Sequence, residues 1–340
     1  MDVTVVCPFY NESGILEHAI RTLAGRLRTL EGSWELIVVN DGSVDGSDVI
    51  AGRVAQDIPE VRVLGYRYNR GRGSALRTGI AAARGDIIVT TEIDLSWGED
   101  IVHQLVAEMR EHPEIDMVVA SPHLPGGGYK NVPAKRVWLS RVGNHIIRAC
   151  MTNAATMNTG MTRAYRREVI QSLPLFADGK EFHLEVMLKA TEFGLHIREI
   201  PALLEWKDYK HQGRRVKRKS SSRVNQVIVS HSLFSVFANP VRYVWAASLA
   251  SFALGAIFFV NAVVLYALRM VSAYTALLSM ALFIVAIVLF VLGVVVKQGN
   301  MIQRELWTIQ RFHLALEKAR KPEAEEEKPL MEARASGARG

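Results

Sequence analysis

Apolar and polar positions alternate in blocks through the first third of the chain, and two periods can be read in them. "VTVVCPF" is a near-continuous apolar run of strand length. From Ser13 the apolar residues Ile15, Leu16, Ala19, Ile20 and Leu23 then follow at the spacing of one helix face. The pair of patterns repeats. "WELIVVN" precedes a helix from about Val44, "VRVLGY" a helix from about Gly73, and "DIIVTT" a helix from Glu99, before "IDMVVAS". Strands apolar on both faces and separated by helices predict a parallel sheet covered on both sides, an α/β doubly wound domain. In such a sheet ligands bind beyond the carboxyl ends of the strands. The segments that matter are therefore "PFYNES", "NDGSVDGS", "NRGRGSALRTG" and "TEIDLSW".

From Pro122 to Leu204 the rhythm loosens. "PHLPGGGYKNVP" is a Gly and Pro loop, and "AKRVWLSRVGNHIIRACM" reads as a helix. Its Val137, Trp138, Val142, Ile146 and Ile147 lie beside Lys135, Arg136, Arg141 and Arg148. That pattern suits either a helix lying at a membrane surface or one packed on the domain's own core. "RVNQVIVSHSLFSVF", ahead of Pro240, is the better interfacial candidate because it leads into two long apolar runs. Tyr243 to Leu268 and Met270 to Val296 contain no charged residue, and each exceeds the ~20 residues that a helix needs to cross a bilayer. With only Arg269 as a charge between them, they predict a tight transmembrane hairpin.

Charge orients that hairpin. The chain has 340 residues and a formal net charge of +7, and eight Lys and Arg crowd between Lys207 and Arg223. Lys297, Arg304 and Arg311 follow the second run. The positive-inside tendency predicts a two-span cell-membrane protein with its N-terminal region and C-terminal tail in the cytoplasm. "MDVTVVCPFYNE" agrees, since it reads as a first strand and not as a signal peptide. The basic residues sit beside the hairpin, so a membrane surface and not nucleic acid is the expected partner. Cys7 and Cys150 give no disulfide framework and no zinc spacing; both read as small buried residues. The expected organisation is a catalytic-type α/β domain over 1–221, an interfacial amphipathic helix over 222–240, the hairpin over 241–298, a C-terminal helix over 299–321 and a disordered tail over 322–340.

The four strand-end loops carry the candidate chemistry. In "PFYNES", Tyr10 is placed to stack on a base and Glu12 to accept from a sugar hydroxyl. In "VVNDGSVDGS", Asp41 stands at a strand end, where a carboxylate accepts from a nucleobase N–H, while Asp45 reads as a helix cap. "NRGRGSALRTG" lacks the third glycine of the dinucleotide fingerprint, because Leu76 stands there. A glycine-rich turn at a helix start still offers N–H groups to an anion, and Arg72 and Arg77 add positive charge. In "TEIDLSW", Glu92 and Asp94 lie either in a solvated turn or on a cation. With a diphosphate nearby, Asp94 is placed to hold Mg2+ or Mn2+, which favour carboxylates and share substrate phosphates.

These four motifs, in this order and spacing, resemble the nucleotide-sugar domain of family 2 glycosyltransferases, which have a GT-A fold. The closer likeness is to the dolichyl-phosphate-mannose synthase branch and its bacterial polyprenyl-phosphate relatives, and it covers about residues 1 to 235. The resemblance implies an inverting, metal-dependent enzyme that moves a sugar from a nucleoside-diphosphate sugar to a polyprenyl phosphate for envelope glycan or glycoprotein assembly, and it allows a homo-oligomer. It places Pro8, Tyr10, Glu12, Asp41, Gly73, Arg77, Glu92, Ile93 and Asp94 at the donor. The family's Asp-x-Asp motif and following Gln fall on Glu92, Asp94 and Ser96, a departure at two of three metal positions. Arg136 and Ser140 match an Arg and Ser that hold the acceptor phosphate, four apart on one helix face. A further Arg carried by relatives aligns near Pro122 and is missing here. Lys207, Arg215 and Lys219 lie in a stretch that is either the family's acceptor loop or an anionic-lipid patch. Glu181 and Glu185, four apart on a predicted helix, either touch the donor sugar or cap and face solvent. Two other readings stay open: transfer to a neutral lipid hydroxyl, and, from the altered motif, a tethered nucleotide-sugar-binding protein without activity.

Overall fold

Beneath the site lies a seven-stranded sheet whose order is β3-β2-β1-β4-β7-β5-β8. The structure is a computed structural model, and it describes residues 1–150, 155–206, 210–211, 214–215, 240–270 and 273–337. β1 (Val3–Phe9), β2 (Trp34–Asp41), β3 (Val61–Tyr66), β4 (Ile87–Thr90) and β5 (Met117–Ser121) are the five apolar runs of the sequence. Between them lie α1 (Leu16–Leu27), α2 (Ser47–Asp57), α3 (Arg72–Ala82) and α4 (Ile101–Glu111). α1 buries Leu16, Ala19, Ile20, Leu23, Ala24 and Leu27, one face at helical spacing. β1 is parallel to β2 and β4, and β2 is parallel to β3, so the carboxyl ends of β1, β2 and β4 share one edge.

The expectation of a purely parallel sheet is corrected by one strand. After β5 the chain forms β6 (Gly128–Lys130) and α5 (Ala134–Cys150), then returns as β7 (Arg163–Arg166). β7 inserts between β4 and β5, antiparallel to both. Its Arg163 is fully buried, and its guanidinium donates to the Asn158 carbonyl at 2.7 Å and the His183 carbonyl at 3.1 Å. Those bonds let a charged residue sit in a central strand. α6 (Arg167–Ser172) and α7 (Phe182–Glu192) precede β8 (Ile197–Pro201), which pairs with β5 in parallel. β9 (Leu203–Glu205) pairs with β6, and β10 (Lys210–His211) with β11 (Arg214–Arg215).

The chain divides into two compact units, residues 1–221 with 307–340, and residues 222–306. The second unit contains α8 (Pro240–Ala267) and the first part of α9 (Ala273–Gly337). Val241–Ala267 and Ala273–Ile302 are each long and apolar enough to cross a membrane. They meet along a seam in which Ser248 donates to the Ala286 carbonyl at 2.7 Å and Ser279 to that of Gly255 at 3.0 Å. Hydroxyls that return their bond to backbone suit a medium without water. Phe252 stacks obliquely on Phe283 at 5.3 Å, while Phe259, Ile284, Ile287 and Phe290 remain exposed.

α9 runs on without a break to Gly337, through 299–321, expected as a separate helix, and through 322–337 of the expected tail. The tail's Glu, Ala, Lys and Met residues are strong helix formers, a preference that its charge obscured. Except for Pro240, the expected interfacial helix 222–240 lies outside the described residues, as do Lys207 and Lys219.

Candidate active site

The loops after β1 and β2 are zipped together at the sheet edge. The Asn11 amide donates to Ser43 Oγ at 3.0 Å, and Asn11 Oδ1 accepts from the Val44 amide at 2.9 Å. Asn11 has a φ of 55°, a conformation that Asn tolerates because its side chain bonds locally. Asp45 accepts from the amides of Ser13 and Ser47 and from the Ser47 hydroxyl, which makes it the local cap that its position implied. Tyr10 is left 45% exposed beside this turn, with Pro8 and Glu12 half-buried.

Asp41 does more than end a strand. Its Oδ1 accepts from the amides of Arg70 at 2.8 Å and Gly71 at 3.1 Å, and its Oδ2 from Asn69 Nδ2 at 3.0 Å. The carboxylate expected to face a nucleobase therefore ties down the glycine-rich loop ahead of α3. Gly71 there takes a φ of 100°, which only glycine adopts without strain.

That loop does not present an open cradle. Residues 177–179 lie on it: the Ser74 amide donates to the Asp178 carbonyl at 3.1 Å. A Cβ on Gly73 would run into the Ala177 carbonyl and stand 2.8 Å from the Gly179 oxygen. Arg77 donates to the Ala177 carbonyl and the Asp178 carboxylate. Gly73 and Arg77, both expected at the donor, are thus packed against this loop. The first-turn N–H groups of α3 need acceptors, and a neighbouring loop supplies one. Glu185 holds the same loop, accepting from the amides of Phe176 and Ala177 and from Lys189, which is the capping role among its two readings.

Beyond Thr90 the chain leaves β4 and turns, with Leu95 at a φ of 54°. The acid pair lies in this turn. Glu92 Oε2 accepts from Trp97 Nε1 at 2.6 Å and Ser96 Oγ at 3.2 Å, while Oε1 lies 3.9 Å from the Arg72 guanidinium. Asp94 is buried and accepts from the Ser96 amide at 3.0 Å; Ile93 between the acids is buried too. Burial, and then the negative charge of Asp94, hold the Glu92 carboxyl above its usual range. Cys7 on β1 feels both acids, and burial together with their charge pushes its thiol up. Two carboxylates this close together form a donor set suited to a hard cation. No cluster of three or more His, Cys, Asp or Glu side chains suited to a metal occurs among the described residues. A cation here would take its remaining ligands from phosphate oxygens and water.

Opposite the acids stand three cations. Burial, and then the nearby charges of Arg72 and Arg136, lower the Lys180 ammonium below its usual range. Lys180 was not singled out in the sequence; it follows Gly179, which packs on Gly73 beside Arg72. Arg136 lies over the Trp206 ring at 4.5 Å. Ser140 Oγ lies 3.2 Å from the Tyr129 hydroxyl and accepts from Asn144 Nδ2 at 3.4 Å. The two, expected to share one phosphate, are held by different neighbours. Arg215 is in β11, its side chain outside the described residues.

Comparison with known proteins agrees with this geometry. The family model "Glycosyl transferase family 2" matches residues 4–173. The chain is 28% identical over 210 residues to glycosyltransferase AglD of Haloferax volcanii, covering 61% of this chain and 33% of that one. It is 29% identical over 202 residues to an undecaprenyl-phosphate 4-deoxy-4-formamido-L-arabinose transferase of Pseudomonas fluorescens, covering 58% of this chain and 56% of the relative. The matches thus span between a third and just over half of these relatives' lengths. Among solved structures, glucosyl-3-phosphoglycerate synthase from Mycobacterium tuberculosis with Mn2+, UDP-glucose and phosphoglyceric acid superposes with a TM-score of 0.51 at 21% identity, covering 69% of this chain and 79% of that one. That likeness establishes the shared fold.

Proposed function

Since the chain belongs to glycosyl transferase family 2, we propose that it transfers a sugar from a nucleoside-diphosphate sugar to a polyprenyl phosphate at a cell membrane. The observation that carries this reading is the pairing of opposite charges at one sheet edge. Glu92 and Asp94 form the acid side, and Arg72, Lys180 and Arg136 the basic side. The acids suit a divalent cation and the cations suit two phosphate groups. A relative named for undecaprenyl phosphate and two helices able to cross a bilayer support the lipid acceptor.

In this reading Pro8, Tyr10 and Glu12 line the nucleoside end, with Asp41 fixing the loop beside it. Asp94, Glu92 and Ser96 would hold Mg2+ or Mn2+, which when bound draws charge from the departing diphosphate. The acceptor phosphate is already anionic, so no side chain has to remove a proton. One of its oxygens bonds to the anomeric carbon as the bond from that carbon to the diphosphate oxygen breaks, with inversion. Arg72 and Lys180 offset the charge of the diphosphate, and Arg136 that of the approaching acceptor. Alignment of the two anions supplies the remainder. The basic residues flanking the hairpin support a cytoplasmic side for the catalytic unit.

The test is sugar transfer by the purified protein in detergent with Mn2+ or Mg2+. Labelled UDP- and GDP-sugars would be offered with undecaprenyl phosphate, and Asp94→Ala run beside the wild type. A labelled glycolipid formed by the wild type and lost in the variant is the expected result. Binding of nucleotide-sugar without transfer to any prenyl phosphate would refute it and favour a neutral acceptor or an inactive scaffold.

A further inference from the structure

Within "FALGAIFFVNAVVLYA", the later part of α8, the apolar run is broken by one amide, Asn261. Trp245 and Tyr266 stand about 31 Å apart along the helix, close to the ~30 Å of hydrocarbon in a bilayer. Lys297 lies over the Trp245 ring at 5.7 Å, and a basic and aromatic pair of this kind suits the edge of that apolar layer. Asn261 falls between the two edges, about 24 Å from Trp245 and about 7 Å from Tyr266. Ser248 and Ser279 return their bonds to backbone. The Asn261 side chain is exposed and has no hydrogen-bond partner among the described residues. In hydrocarbon, an amide left unpaired in this way is costly.

Asn261 shares its face with others. Ala247, Ala250, Leu254, Ile257 and Val264 lie on it, at alternating steps of three and four residues. All six are exposed, because α8 meets α9 along a different face, through the buried Ser248 and Gly255. Steps of three and four hold a stripe in line between two helices that cross at about 20°. Ala247 and Ala250 are small enough for two backbones to approach closely, and Leu254, Ile257 and Val264 supply packing. A single asparagine in such a seam fixes the register, since it pairs with an amide at its own level.

We propose that this face of α8 docks on the same face of a second copy of the chain, with Asn261 paired to Asn261 across a two-fold axis along the membrane normal. A carboxamide both donates and accepts, so two identical ones satisfy each other. Two copies inserted in the same orientation carry Asn261 at one depth by construction, and a two-fold axis brings like residues together. A different membrane protein would have to supply a polar side chain at that depth, and lipid tails have none. The proposal rests on the reading of Val241–Ala267 as a membrane span and is independent of the sugar-transfer reaction.

Förster transfer between donor- and acceptor-labelled copies of the full-length protein in phosphatidylcholine vesicles tests the pairing as lipid is added. The wild type is expected to associate and to separate on dilution. Asn261→Leu, which suits lipid, should weaken association about three- to thirtyfold, and Asn261→Gln should recover part of it. Ala250→Ile should weaken it too, by holding the backbones apart. Cysteine cross-linking reads the face directly. Ile257→Cys and Val264→Cys should link copies, whereas Leu249→Cys and Val263→Cys, exposed on another flank, should not. Wild-type association in Asn261→Leu would overturn the proposal, and so would cross-links spread evenly over the four positions. Protein stripped from the vesicles by an alkaline wash would sink the membrane reading and the proposal with it. Protein that resists the wash but stays monomeric would sink the proposal alone.

Discussion

Asp41→Asn separates two roles for one carboxylate. If Asp41 mainly reads a nucleobase, the variant should lose nucleotide affinity at unchanged stability. If it mainly ties down residues 69–71, stability should fall even without ligand. Asp41 is buried, and its Oδ1 accepts from two backbone amides at 2.8 and 3.1 Å. With an asparagine oxygen in that place, both bonds persist but lose their charge assistance, roughly 0.5–1 kcal/mol each. The new NH2 then faces Asn69 Nδ2, where Oδ2 now accepts at 3.0 Å. Asn69 can turn its amide over and accept instead, which recovers part of that bond. The net loss is about 2 kcal/mol, or a Tm lower by roughly 4–8 °C for a domain of this size. Thermal unfolding of the nucleotide-free protein, followed by hydrogen exchange at the amides of Arg70 and Gly71, measures it. A Tm within about 1 °C of wild type, with unaltered exchange at both amides, would refute the anchoring argument.

Three further changes test neighbouring parts of the site. Gly73→Ala forces a methyl against the Ala177 carbonyl and should cost about 1–3 kcal/mol while raising proteolysis within 174–181; equal stability and equal cleavage would contradict the packing. Glu92→Gln removes one of two adjacent carboxylates yet can keep the Trp97 bond, so unfolding should be unchanged or slightly harder, while Mn2+ titrated with a nucleoside diphosphate should bind more weakly. His183 is buried, both its ring nitrogens lack a hydrogen-bond partner, and burial with Arg163 holds its imidazole well below the usual range. The unfolded imidazole takes a proton as pH falls through about 6.5 and the folded one does not, so stability is present above that value and is lost below it at up to about 1.4 kcal/mol per pH unit. His183→Leu should flatten that acid slope in unfolding midpoints; an unchanged slope would assign it to other groups.

The parts of the fold that were legible in the sequence are those whose signal is local. β1, β2, β4 and β5 stand out because both faces are buried, and β3, a partly buried edge strand, by its apolar residues; the four strand-end loops follow from them. The two helices able to cross a membrane show in unbroken apolar length. β7 does not stand out, because "RAYR" is charged at both ends and its burial depends on carbonyls from Asn158 and His183. The contacts of Gly73 and Arg77 were hidden for a similar reason. Their partners at 177–179 are about a hundred positions away, and no local pattern in "GRGSALRTG" announces them. Lys180 became visible only when the loop carrying it was set beside Arg72.

The charges at the edge are arranged so that an anion improves them. Arg72 lies 3.9 Å from Glu92, with side chains 42% and 28% exposed, a pair whose contribution in water is at most about 1 kcal/mol. On its other side Arg72 meets the like charge of Lys180, which Arg136 also opposes. Arg72 is therefore held weakly by one acid and opposed by the cation beside it. A diphosphate entering between them relieves the repulsion at once and costs little in broken contacts. The same holds in reverse for Glu92 and Asp94, which a cation relieves. Neither group is at its electrostatic best alone, and the proposed donor, carrying both a metal and phosphates, is the kind of ligand that satisfies both sides together.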